Sequence, residues 1–206
     1  MEDVIRTYLL PYDARCPVVC FDEACKQLFG EVRPAQRRRG QARVDYECER
    51  KGVCHQLLLC EPLRGWRHVK VTERRTRQDY AACVRELVDV HYPQAKLIRL
   101  VQDNLNTHDG ASLYEAFPPP EARRLLDKIE FHYTPKHGSW LNMAETEINI
   151  MNSQCLDRRL ATVALIAAEV APWEKERNTR KACIHWTFTL AAARRKLRKV
   201  YPSIEA

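Results

Sequence analysis

Residues 17 to 23 read Pro-Val-Val-Cys-Phe-Asp-Glu, a short apolar run that ends in two acids. A run of this kind is typical of a buried strand. Residues 97 to 104, Leu-Ile-Arg-Leu-Val-Gln-Asp-Asn, repeat the pattern. Because the ends of neighbouring strands converge where ligands bind in an open α/β sheet, Asp22 and Asp103 are predicted to meet there.

The segments around these two strands predict the rest of the fold. A polar, Arg-rich segment over 30–43 is predicted to be a loop, and 44–75 an antiparallel meander with turns at 51–52 and 62–65. Apolar residues at three- and four-residue steps predict a helix over 76–91, with Thr76 as its cap. The remaining predicted elements are helices near 111–117, 121–129, 141–156, 165–177 and 191–201, and a strand at 131–134.

This order of elements favours an α/β fold, a mixed sheet flanked by helices. We expect one domain over residues 1–206, with a lead-in over about 1–16 and C-terminal helices over about 157–206. No apolar run approaches the length of a membrane span, and no secretory signal is visible, so we expect a cytoplasmic protein without a membrane partner.

The charge balance indicates a polyanionic partner. Lys and Arg number 34 against 27 Asp and Glu, which gives a net charge of +7 and a pI near 9.0. Arginines cluster at 37–39, 74–77, 123–124, 158–159 and 194–198. Any single cluster is more simply a solvated face, and only their sum points to nucleic acid.

Nine cysteines are present, and none forms a Cys-x-x-Cys pair. Cys48, Cys54, His55 and Cys60 could in principle bind zinc. Their spacing along predicted strands favours small, buried apolar side chains instead.

Asp22 and Asp103 would repel each other unless a cation lay between them, so their predicted proximity suggests hard divalent ions with oxygen ligands. Glu145 lies three residues after Asn142, on the same face of the helix predicted from 141. A third carboxylate there would suit two-metal phosphoryl chemistry. Taken alone, an acid at a strand end is more often a turn residue or helix cap.

Four longer phrases carry a family resemblance: Val19-Cys-Phe-Asp22-Glu23; Asp45-Tyr46 with Glu49-Arg-Lys-Gly52; Val101-Gln-Asp103-Asn104-Leu-Asn-Thr107-His108; and Tyr133-Thr-Pro-Lys-His137-Gly-Ser-Trp140-Leu-Asn142-Met-Ala-Glu145. Together with Trp173-Glu-Lys-Glu-Arg177-Asn178, they resemble bacterial insertion-sequence transposases related to mariner elements (the IS six-thirty type).

The resemblance covers nearly the whole chain. It implies a ribonuclease-H-like fold, two Mg²⁺ or Mn²⁺ ions, cleavage of DNA at transposon ends and strand transfer into target DNA. Asp22, Asp103 and Glu145 fall on the family's acidic triad as catalytic residues and metal ligands, whereas Asp45 falls outside it. The implied partners are DNA and a second copy of the chain in a synaptic complex.

Further residues are candidates for DNA contact. Asn104, His108, His137, Trp140 and Asn142 flank the acids, and Arg37, Arg38 and Arg39 form the basic run of the predicted loop. The alternatives are turn hydrogen bonds, satisfied loop histidines and core packing.

Fewer than two dozen residues precede Asp22, so we expect the N-terminal helix-turn-helix module of such transposases to be absent from this chain, with a separate recognition chain as a further candidate partner. Two other functions stay open. One is a ribonuclease-H-like nuclease, and the other is a DNA-binding remnant that no longer cleaves.

Overall fold

The computed structural model describes residues 1–33, 46–136 and 138–197, together with the backbone of 36–38 and 41–43. The strands are β1 Val18–Glu31, β2 Gln36–Arg38, β3 Gln41–Arg43, β4 Cys48–Glu61, β5 Trp66–Thr72, β6 Ile98–Gln102 and β7 Ile129–Tyr133. The α-helices are α1 Glu2–Tyr8, α2 Arg77–Glu86, α3 Gly110–Ala116, α4 Pro119–Leu126, α5 Met143–Met151, α6 Val163–Thr179 and α7 Leu190–Lys196. π-helical turns extend α2 over Leu87–His91 and α5 over Asn152–Leu156, and a 3-10 turn covers Ser139–Leu141.

Five strands form one mixed sheet in the order β5-β4-β1-β6-β7. The meander β1-β4-β5 is antiparallel, whereas β6 and β7 run parallel to β1. The parallel strands are separated by α2 and by the α3-α4 pair, as crossover connections require. This arrangement confirms the predicted mixed sheet flanked by helices.

Alternation along the central strands fills two cores. Val19 and Phe21 belong to a cluster with α2, α3 and α4 on one face of the sheet, and Cys20 belongs to a cluster with α1, α5 and α6 on the other. Within each strand, successive residues therefore face different layers of helices. Asp22 shares the parity of Cys20 and is directed to the face covered by α5.

The first strand is longer than its apolar run predicted. β1 continues past Asp22 to Glu31, pairing with β4 along the way, so Asp22 lies within the strand and not at its end. The turn predicted at 51–52 is instead an irregularity inside β4: Leu28 pairs with Gly52 and Phe29 with Arg50, which leaves Lys51 as an extra residue. Gly52 has a φ of +106°, which glycine adopts without strain.

Two other predictions need correction. The segment 30–43 is not simply a loop, because it includes the end of β1 and the two-stranded hairpin of β2 and β3. The predicted lead-in contains α1, whose Val4 and Ile5 are fully buried in the core.

The helix predicted over 76–91 is confirmed, with Thr76 as its cap. The Thr76 side chain accepts a hydrogen bond from the Asp79 backbone, and the Asp79 side chain accepts one from the Thr76 backbone. This reciprocal pair satisfies two amides that would otherwise lack partners at the helix start. Within the part of the chain described, no helix is both long and apolar enough to cross a membrane.

Cys54 and Cys60 are buried, as their strand spacing predicted, whereas Cys48 is exposed at the start of β4. The nine cysteines are free thiols.

Candidate active site

Asp22 and Asp103 are brought together by the parallel register of two strands. Cys20 pairs with Val101, so two residues further along Asp22 lies level with Asp103, the first residue beyond β6. Because β6 ends there while β1 continues, the side of β1 beside Asp22 opens towards solvent. Asp103 is at the predicted strand end, and Asp22 reaches the same place from mid-strand.

Glu145 comes from the first turn of α5, and Asn142 fixes that turn against β1. The Asn142 side-chain oxygen accepts a hydrogen bond from the Ala144 backbone and caps the helix, while its amide donates to the Phe21 carbonyl at 2.7 Å. Phe21 immediately precedes Asp22 in the strand. One buried side chain therefore sets the position of the helix that carries Glu145 relative to the strand that carries Asp22.

Electrostatics show that the three acids interact. Burial, together with the negative charges of Asp103 and Glu145, raises the pKa of Asp22 to about 7, against the opposing effects of a hydrogen bond from the Glu23 backbone and the charge of His108. Asp22 has no ion-pair partner within the described residues. A half-buried carboxylate next to two others is favourable only when protonated or beside a cation.

His108 supplies a positive charge behind Asp103. The side chain is buried, stacks on Tyr80 with ring centres 5.0 Å apart, and its Nδ1 contacts Asp103 Oδ1. Burial opposes protonation, but the hydrogen bond to Asp103 and the negative charges of Asp103 and Glu23 outweigh it and raise the pKa of His108 to about 9. The same contact with His108 holds the pKa of Asp103 below its usual value despite burial. A protonated His108 therefore orients Asp103 and keeps it ionised.

Glu23 and Arg75 extend this network on the other face of β1. Arg75 Nη1 lies 2.6 Å from Glu23 Oε1, and Glu23 Oε2 lies 3.8 Å from His108 Nε2. Glu23 stands beside Asp22 in the sequence, but strand alternation directs the two side chains to opposite faces. Sequence reasoning gave Glu23 and Arg75 no separate roles, because nothing local distinguishes them from surface charges.

The donor set of the site suits hard divalent ions. Three carboxylates converge from β1, the end of β6 and α5, and among the described residues Asp22 forms no ion pair, although the charge of His108 acts on it. Their oxygens do not all lie within 4.8 Å of one another, so the acids surround a wider space than a single compact site. Carboxylate oxygens are the donors that hard divalent ions prefer, so the chemistry of these residues fits such an ion.

The predicted DNA-contacting residues occupy different environments. Asn104 is exposed, and Trp140 is 47% exposed with its ring centre 5.8 Å from that of Phe188. His108 and Asn142 are buried and bonded within the protein, so their contacts position the acids and do not present a surface to DNA. The side chains of Arg37 and Arg38, and the whole of Arg39, Asp45 and His137, lie outside the described residues.

A buried ionic cluster behind α5 was not anticipated. Glu147, fully buried, accepts hydrogen bonds from Arg67 at 3.1 Å and from Arg177 at 2.9 and 2.7 Å. Arg67 lies on β5 and Arg177 on α6, so the cluster joins three elements two residues after Glu145. The phrase containing Arg177 supported the family resemblance, but no pattern in the sequence pairs these residues.

The chain resembles known proteins in both its sequence and its fold. The sequence pattern of a family described as "DDE superfamily endonuclease" matches residues 17–165. Among solved structures, a strand transfer complex of Mos1 matches at 12% identity and a TM-score of 0.54, covering 82% of this chain and 51% of that one. The Mos1 mariner paired end complex with Mn matches at 14% identity and a TM-score of 0.53, covering 82% and 52%. No curated protein matches.

These matches establish the fold as that of the Mos1 catalytic domain, which is ribonuclease-H-like, as expected. The chain spans about half the length of each of those structures.

Proposed function

The chain belongs to the DDE superfamily of endonucleases, and from this premise we propose that it is the catalytic domain of a DNA transposase. It would cleave DNA at transposon ends and transfer the strand into target DNA, using Asp22, Asp103 and Glu145 as its acidic triad. The observation that carries the proposal is that the charges of Asp103 and Glu145 act on the half-buried carboxylate of Asp22, so that acids from three separate elements share one site.

The bound ions we propose are two Mg²⁺ or Mn²⁺. When bound, they would activate the attacking oxygen and stabilise the leaving oxygen of an in-line displacement at a phosphodiester. The chain's own residues hold the geometry for that step. His108 orients Asp103, Asn142 fixes α5 against β1, and the Glu147 cluster anchors α5 from behind.

DNA would lie across the open side of the acids. Trp140 precedes Glu145 by five residues and presents an exposed aromatic face, on which a base can stack. The net charge of +7 favours binding of a polyanion such as DNA.

By the same family relation, we propose that the functional assembly is a homodimer that synapses two DNA ends, with sequence recognition supplied by a helix-turn-helix part. A bacterial, mariner-related insertion sequence is the proposed source.

The test is cleavage of a labelled DNA duplex carrying the element's own ends, in Mg²⁺ or Mn²⁺. Asp22→Asn, Asp103→Asn and Glu145→Gln should each abolish cleavage that the parent chain performs, because each removes a ligand charge while keeping the side-chain shape. Asp157→Asn, an exposed acid on the surface, is the matched control and should leave cleavage unchanged.

Mn²⁺ binding followed by electron paramagnetic resonance separates the remaining possibilities. A chain that binds DNA but neither binds Mn²⁺ through the triad nor cuts would be an inactive remnant. Preferential cutting of RNA in an RNA–DNA hybrid, without joining of DNA 3′ ends, would identify a ribonuclease instead.

A further inference from the structure

A second group of metal-binding side chains lies at the outer edge of the sheet, two strands away from Asp22. His68 is on the edge strand β5, Glu86 ends α2, and His91 ends the π-helical turn that follows. Within the described ranges, these form the one group of three His, Cys, Asp or Glu residues whose ligand atoms all lie within 4.8 Å of one another.

The spacing of the ligand atoms is close to that of a tetrahedral zinc site. Bonds of about 2.0 to 2.1 Å at tetrahedral angles put neighbouring ligand atoms about 3.3 to 3.4 Å apart. Glu86 Oε1 lies 3.3 Å from His68 Nε2 and 3.9 Å from His91 Nε2. The two ring nitrogens and Glu86 Oε1 would occupy three corners of the tetrahedron and leave the fourth for water.

Neighbouring groups already hold these ligands in binding orientations. His68 Nδ1 lies 3.3 Å from Glu174 Oε1, which directs the opposite ring nitrogen towards Glu86 and His91. A carboxylate on the second nitrogen is the usual partner of a metal-binding histidine. Lys70 binds the other oxygen of Glu86 at 3.0 Å and leaves Oε1 facing the two imidazoles.

His91 has a buried ring nitrogen whose hydrogen-bonding capacity is not satisfied among the described residues. Its Nε2 is buried and has no hydrogen-bond partner among the described residues, although its ring packs 4.6 Å from that of His68 and 4.9 Å from Trp66. A buried nitrogen without a partner, facing a carboxylate oxygen 3.9 Å away, is the kind of atom that a bound ion would satisfy.

We propose that His68, Glu86 and His91 bind a transition-metal dication of the Zn²⁺ class, with Glu174 orienting His68. The site differs in kind from the acidic triad: two imidazole nitrogens favour Zn²⁺, Co²⁺ or Ni²⁺, whereas carboxylates alone favour Mg²⁺ and Mn²⁺. The bound ion would join the end of α2 to the exposed edge of β5. Its role would be structural and independent of DNA cleavage.

The experiment uses the full chain carrying Asp22→Asn, Asp103→Asn and Glu145→Gln, freed of metal by chelation, so that the acidic triad contributes no binding. Calorimetric titration with ZnCl₂ should show one bound ion per chain and a raised Tm, whereas MgCl₂ should do neither. Adding His68→Gln or His91→Gln should weaken Zn²⁺ binding by at least about tenfold, and Glu174→Gln by about ten- to a hundredfold. His185→Gln, an exposed histidine, should change nothing.

Cysteines are the competing ligands, and Co²⁺ distinguishes them. Binding at the proposed site should give d–d absorption without a thiolate charge-transfer band. A thiolate band, absence of stoichiometric binding, or less than about tenfold weakening by both histidine changes would overturn the proposal.

A measurement without substitutions at the site covers the case in which those variants fail to fold. In the triad-substituted chain, Zn²⁺ should protect His68 and His91, but not His185, from carbethoxylation as read by mass spectrometry. Equal modification of all three with and without Zn²⁺ would also overturn the proposal.

Discussion

At the scale of single residues, the site separates side chains that face solvent from those that hold the acids in place. Trp140 and Asn142 are two positions apart, yet one is about half exposed and the other is buried. The sequence alone suggested the same role for both. Their surroundings assign Trp140 to the proposed DNA surface and Asn142 to the link between α5 and β1.

Trp140→Ala should weaken binding of single-stranded or end-frayed DNA by roughly tenfold, because stacking of a base on an aromatic ring contributes about 1 to 3 kcal/mol. Trp140→Phe should retain most of the affinity, since it keeps an aromatic face. Fluorescence anisotropy with a labelled oligonucleotide measures both. Equal affinities for the alanine variant and the parent would remove Trp140 from the DNA surface.

Glu61 predicts a pH dependence of stability that is independent of the active site. Its side chain is buried, Oε2 accepts a hydrogen bond from Tyr92 at 2.6 Å, and Oε1 has no partner among the described residues. Burial raises the pKa of Glu61 above its ordinary value of 4.5. The folded chain thus binds this proton more tightly than the unfolded chain does, so the contribution of Glu61 to stability falls as pH rises from 4.5 through the folded-state pKa.

Glu61→Gln should remove that dependence. The free energy of unfolding of the variant, relative to the parent, should increase as pH rises from about 4.5, as urea titrations at several pH values would measure. Glu73→Gln, at an exposed site, is the control and should track the parent. A difference between Glu61→Gln and the parent that is constant across pH would contradict the assignment.

At the scale of elements, α5 is held from both ends of its first two turns. Asn142 ties its start to β1, and Glu147 ties its next turn to β5 and α6 through Arg67 and Arg177. Glu145 lies between these two attachments. A carboxylate that must meet two others needs such a rigid support.

Glu147→Gln should destabilise the fold by about 3 to 5 kcal/mol, because it leaves the charge of Arg67 buried without its counter-ion. Glu176→Gln, which breaks the exposed pair of Glu176 with Arg180 on α6, should cost less than about 1 kcal/mol. Chemical denaturation of both variants checks the contrast. Equal losses would mean that the buried cluster contributes no more than a surface pair.

Which elements could be predicted depends on how each is buried. β6 and the first residues of β1 are covered on both faces, so their apolar runs identify them directly. The second half of β1 pairs only with β4 in the sheet and is half exposed, which interrupts the apolar run with Lys26 and Gln27. For this reason the sequence places Asp22 at a strand end, although the structure places it mid-strand.

Only those residues of the candidate site that lie within sequence motifs could be predicted. Asp22, Asp103 and Glu145 stand in phrases with a family pattern, so all three could be named in advance. Glu147, His68 and His91 could not, because their significance arises from contacts with residues distant in sequence. In the sequence, a buried acid cannot be distinguished from a surface acid, because its arginine partners are identified only in the folded structure.

At the scale of the whole molecule, the described chain supplies a catalytic fold with a basic surplus, and it spans about half of the Mos1 chains that it resembles. We therefore propose that a further part of the assembly, and not this chain, recognises the specific DNA ends. The chemistry of the proposed cleavage, by contrast, would rest on residues that this chain contains.

The strand order also has a consequence for the sequence of folding events. The β1-β4-β5 meander pairs segments close in the chain, whereas β6 must join β1 across the whole of α2, and contacts between distant segments form more slowly. We therefore expect Asp103 and Glu145 to reach Asp22 only after the meander has formed. In a chain that has formed only the meander, Asp22 would lack the two acids that complete the proposed triad, so a partly folded chain would have no capacity for the proposed cleavage.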